Sequence, residues 1–159
     1  MTQHYNSVIG WFDFEDIYSE AISSAKDNDI FVEVGSFLGK SACYMLEKIQ
    51  ESKKRLQFYC VDNWDLTKDD QWNKETIMPG TKELYLDYTK RLGEDILYHS
   101  FLENIRNCPG NENFTEAIRQ SSWEAANKFE DNSLSFVFID AGHSYESVKK
   151  DLKTWYPKV

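Results

Sequence analysis

Three short apolar runs, each ending in an acid or a glycine and each followed by residues at helical spacing, constrain this chain more than anything else in it. They are DIFVEVG (29–35), LQFYCVD (56–62) and SLSFVFID (133–140). Runs that are apolar on both faces suit strands buried on both faces, as in a parallel sheet covered by helices. FTEAIRQS (114–121) is a fourth, weaker strand. Between the strands the apolar period changes to that of a helix. Phe14, Ile17, Tyr18, Ala21, Ile22 and Ala25 form one stripe, with Asp13 as its expected N-cap. Ala42, Met45, Leu46 and Ile49 form a second, and Ile96, Leu97, Phe101, Leu102 and Ile105 a third. SWEAANKF and SYESVKKDLKTWY supply a short helix and the last one. The expected fold is α/β, a parallel sheet with helices on both faces. Such sheets bind ligands at the carboxyl ends of their strands. Glu33, Asp62 and Asp140 all fall there.

At 159 residues the chain suits a single domain, and its 41% hydrophobic content is that of a globular protein. A net charge of -9 argues against nucleic acid as a partner, since polyanion binders carry a basic footprint. No apolar run is long enough to span a membrane, and no secretory leader is visible, so a cytoplasmic location is expected. The three cysteines, Cys43, Cys60 and Cys108, have no metal-ligand spacing and read as free thiols. Residues 65–91 are polar, rich in Trp and Tyr and interrupted by Pro79-Gly80, and read as a lid or insertion.

The chemistry is concentrated in FVEVGSFLGKS (31–41). Its tail resembles a phosphate-binding P-loop, which needs four residues between its glycines. Only Ser36, Phe37 and Leu38 separate Gly35 from Gly39, so the loop is one residue short, and a P-loop-type nucleotide binder is the weaker alternative. The dinucleotide fingerprint fails as well, because Phe37 stands at its second glycine. What remains is E-x-G-x-x-x-G on a strand-to-helix turn, with an acid closing the next strand. Gly35 and Gly39 would let the backbone approach a ligand closely. Glu33 would accept from an ammonium group or an ordered water, and Asp62 from two ribose hydroxyls. A ligand with a ribose, an ammonium and no phosphate fits S-adenosylmethionine. A plain turn with a helix-capping acid satisfies the same residues.

The chain as a whole resembles the class I S-adenosylmethionine-dependent methyltransferases. The resemblance rests on FVEVGSFLGKSACYMLEKI, FYCVDNW and SSWEAANKFEDNSLSFVFIDAGHSYESVKKDLKTWYPKV. More narrowly, it is similar to the small-molecule O-methyltransferase branch with an I-D-x-x-H-x-Y segment (methyltransferase family 24-like). The resemblance implies a Rossmann-like sheet in strand order 3-2-1-4, a partial class I fold with its later strands missing. One S-adenosylmethionine-binding domain would span 1–159, C-terminally incomplete. Glu33, Gly35, Ser36 and Gly39 would cradle the methionine half of the cofactor, and Asp62, Asn63 and Trp64 the ribose and its edge. Ser121, Ser122 and Trp123 would hold the adenine, and Asp140 and His143 would face the sulfonium and the acceptor. His143 would be the base, or else a structural residue capping the last helix. Asp140 would orient it or bind a divalent metal, the second cofactor to consider. Trp11, Phe12, Trp72 and the tyrosines from Tyr85 to Tyr98 would line the acceptor pocket or pack under a lid, while His4 and His99 read as surface or packing residues.

In the family the domain continues beyond the point matched by Val159. Strand 135–140 is therefore expected to be an open edge, a place for a second copy to pair. A natural short form that dimerises, a fragment, or a catalytically silent cofactor- or partner-binding module all account for this. The expected partners are a small-molecule acceptor and a second copy of the chain.

Overall fold

A computed structural model describes residues 4–65 and 75–159. Trp72, and residues 66–74 of the expected insertion, lie outside the described residues. The elements in chain order are α1 (Glu15–Ser24), β1 (Ile30–Val34), α2 (Lys40–Ser52), β2 (Gln57–Asp62), α3 (Tyr85–Leu92), α4 (Glu94–Asn107), β3 (Phe114–Arg119), α5 (Ser122–Ala125), β4 (Phe136–Ile139) and α6 (Tyr145–Trp155).

The four strands form one parallel sheet in the order β3-β2-β1-β4. This is the Rossmann-like α/β architecture expected, with β4 at the edge. The alternation of side chains along β1 builds two cores. Phe31 turns toward α1, α2 and α4, joining Tyr18, Met45, Leu46, Phe58 and Phe101. Val32 and Val34 turn the other way, onto Ala125, Ala126, Phe129 and Trp155 beside α5 and α6. With helices on both faces, the loops at the carboxyl ends of the strands remain to form a site.

Local details depart from the expected ones where packing overrides pattern. Phe14, not Asp13, is the N-cap of α1, and no side chain caps that end. Ile17 and Ile96 lie in the predicted stripes yet are exposed, because each stripe is wider than the surface that covers it. Ala42, Met45, Leu46 and Ile49 of α2 are all buried, as their spacing predicts. Part of the insertion is regular. Ile77 bridges Leu84 in antiparallel fashion, Met78 is buried, and α3 packs on α4. The three cysteines are free and buried. Among the described residues no helix is long and apolar enough to cross a membrane.

Candidate functional site

The turn from β1 into α2 is held open by its backbone. Gly35 has φ +92°, and a Cβ there would overlap the carbonyl of Asp140. Gly39 has φ +86°, and a Cβ there would press on the Phe101 ring, 3.0 Å away. Both glycines line the cavity described below. The space their side chains would fill, however, is occupied by β4's outgoing loop and by α4. The two glycines thus let β4's outgoing loop and α4 pack close to the turn that lines the cavity.

Asp62 clasps this turn to the end of β2. Its Oδ2 accepts from the backbone N–H groups of Ser36 (3.0 Å) and Phe37 (2.9 Å), and its Oδ1 from that of Trp64 (2.8 Å). Phe37 and Trp64 both have left-handed backbones, φ +45° and +49°, which non-glycine residues adopt at a cost. The Trp64 indole N–H donates to the Phe37 carbonyl at 2.7 Å, joining the two strained loops. Trp64 is buried against Tyr98 and Phe101, so most of its ring serves the core. Asn63 accepts from the Asp65 N–H through its side chain and shapes the same loop.

Glu33 is not at the cavity wall. It is 1% exposed, on the sheet face turned toward α1, where Oε2 accepts from the Tyr18 hydroxyl at 2.6 Å. Burial pushes its carboxyl up to about 7, against the pull of the Tyr18, Ser36 and Ser41 hydroxyls. Its Oε1 and the Ser36 Oγ are nonetheless buried without a hydrogen-bond partner. The serine hydroxyls lie near enough to favour the charged form without being aligned to bond it. Glu33 thus sits beneath the turn, hydrogen-bonded to α1 and outside the cavity lining.

The other strand ends converge on the same space. Ser121 precedes α5, with Ser122 and Trp123 in its first turn. Asp140 follows β4, and His143 lies three residues on with Nε2 3.7 Å from Asp140 Oδ1. The capping role considered for His143 falls instead to Ser144, whose Oγ accepts from the Ser147 N–H. Burial raises the Asp140 pKa, His143 opposes the rise, and Asp13 adds to it. No cluster of three or more His, Cys, Asp or Glu is placed to hold a metal ion among the described residues.

These loops enclose a cavity of about 530 Å³. It collects Gly35, Ser36, Gly39, Asp62, Asn63, Trp64, Ser121, Ser122, Trp123, Asp140 and His143, every expected site residue except Glu33. In its lining Trp11, Phe37 and Tyr85 pack at tilted angles with ring centroids 5.6–6.3 Å apart. Phe12 packs instead on Tyr18 and Tyr44 in the core. Lys40, Ser41 and Asp151 also face the cavity and escaped sequence reasoning. Lys40 and Ser41 were within reach, since they directly follow the glycine turn. Asp151 had no signal, lying mid-helix among lysines. Charge on the wall is lopsided: Asp62, Asp65, Glu124, Asp140 and Asp151 stand against Lys40, the one lysine or arginine among the described lining residues.

A family model described as a methyltransferase domain matches residues 32–159. No curated protein matches the chain.

Proposed function

The chain belongs to the methyltransferase-domain family, and from that premise we propose that it is an S-adenosylmethionine-dependent enzyme that methylates an oxygen of a small molecule. The observation that carries this reading is a single cavity, at the carboxyl ends of all four strands, whose wall is rich in carboxylates. Such a wall attracts a cationic sulfonium and repels a triphosphate. The buried Ser36 Oγ, without a partner inside the protein, offers the cofactor a polar contact at the turn. Asp62 lines the cavity at the carboxyl end of β2, where a carboxylate can meet the hydroxyls of a ribose.

Bound here, S-adenosylmethionine supplies an electrophilic methyl group. The protein's part is alignment and proton removal. Ser36 and the turn around it hold the methionine end, Asp62 the ribose, and Ser121–Trp123 the base. Trp11, Phe37 and Tyr85 give the acceptor an aromatic wall that limits its approach to one direction, the main source of rate in such a transfer. His143 takes the proton of the acceptor hydroxyl, the general-base role that an imidazole fills most often. Asp140, 3.7 Å away, stabilises the imidazolium that forms. A second copy of the chain, pairing along the open edge of β4, is the protein partner of this reading.

The test is a transfer assay with methyl-labelled S-adenosylmethionine and a panel of phenols, hydroxy acids and amines. Label recovered as an O-methyl product supports the reading. Label recovered only on nitrogen, or no transfer to any acceptor, contradicts it.

A further inference from the structure

Of the wall carboxylates that have no role in the reading above, Asp151 is the buried one. Asp151 lies midway along α6 and is 2% exposed, yet it borders the cavity. Its Oδ1 has no hydrogen-bond partner in the protein. Leaving a buried carboxylate oxygen unpaired is costly, and natural proteins do so rarely. The surroundings explain how the charge is tolerated but not why one oxygen is left over. Burial raises the Asp151 pKa, while the Ser122 hydroxyl and Lys150 lower it. Ser122 is itself held in place, accepting from the Trp155 indole N–H at 2.9 Å. The Lys150 ammonium sits 3.2 Å from the centroid of the Trp123 ring, so its head is directed at the indole.

The α5–α6 seam therefore presents a fixed, buried acceptor beside Ser122 and Trp123. Resting on the S-adenosylmethionine reading, we propose that Asp151 is a specificity residue that accepts a hydrogen bond from the exocyclic 6-amino group of the adenine. The cofactor's other donors are spoken for in that reading, its ribose hydroxyls by Asp62 and its ammonium by the β1–α2 turn. The 6-amino group is the only N–H donor on the base. A site that binds a ligand N–H through a buried group rejects analogues lacking it more strongly than an apolar pocket does, since the protein group is then left unpaired.

The experiment compares three ligands by calorimetry on the whole chain. They are S-adenosylhomocysteine, its inosine analogue with a carbonyl at C6, and its N6,N6-dimethyl analogue with no N–H there. The wild type should bind each analogue at least about tenfold more weakly than S-adenosylhomocysteine. Asp151→Asn, which keeps the shape but turns an amide N–H₂ toward the base, should bind S-adenosylhomocysteine about tenfold more weakly and bring the inosine analogue level with it. Equal binding of all three ligands to the wild type, or an adenine-to-inosine ratio unchanged by Asp151→Asn, overturns the proposal. Wild type that is folded but blind to S-adenosylhomocysteine removes the cofactor reading itself and this inference with it. Should Asp151→Asn fail to fold, the three-ligand series on the wild type decides alone.

Discussion

Asp62 receives three backbone amides before it meets any ligand. Its removal therefore has two effects. Asp62→Ala should destabilise the protein by about 1–3 kcal/mol in urea unfolding, because buried N–H groups lose their acceptor, and it should also weaken cofactor binding. Loss of affinity with unchanged stability would mean that the clasp is dispensable. His143 separates differently. His143→Ala should abolish transfer while leaving S-adenosylhomocysteine affinity within about twofold; a parallel loss of both would make it a structural residue. Glu33 contributes to pH dependence. Its buried carboxyl titrates near 7, against 4.5 for an ordinary glutamate, so between those values the folded chain holds a proton that the unfolded chain has released. The stability this gives is complete below pH 4.5 and is lost as the pH rises through 7, on the order of 3 kcal/mol in all. Glu33→Gln, neutral at every pH, should flatten the fall in melting temperature between pH 5 and pH 8. An identical slope in the variant would place the titration elsewhere.

At the scale of elements, sequence patterns were legible where the helix or strand contacts one partner along its length. The stripe of α2 and the apolar runs of β1, β2 and β4 were legible as a helix and three strands; β1 is buried along nearly its whole length, whereas β4, at the sheet edge, is only partly buried throughout. The spacing could not show that Glu33 turns away from the cavity. That depends on side-chain parity along β1, where Phe31 and Glu33 share one face and Val32 and Val34 the other. The helix α3 was missed although Tyr85, Tyr88, Thr89 and Leu92 have helical spacing, because dense tyrosines among polar residues read as a loop. Glycine positions were legible and their packing against Asp140 and Phe101 was not, since those contacts lie far apart in sequence. Gly35→Ala should therefore cost about 2 kcal/mol or more, from the positive φ and the clash with β4's loop together. A urea midpoint equal to that of the wild type would contradict the close packing of β1 on that loop.

At the scale of the whole molecule, the charge and the sheet edge have consequences. The net charge of -9 should make binding of a cationic ligand weaken as salt rises. β4 lies at the sheet edge, and α6 carries exposed apolar residues at helical spacing, Tyr145, Val148 and Leu152, with Tyr156 exposed just past its end. Both features predict concentration-dependent association in sedimentation, and a monomer at every concentration would remove the second copy from the account. The central claim is the cofactor, and calorimetric titration tests it most directly. S-adenosylmethionine and S-adenosylhomocysteine should each bind with micromolar affinity, and ATP with magnesium should not bind. Binding of ATP with neither of the other two would return the turn at Gly35–Ser41 to a phosphate-binding role and contradict the account.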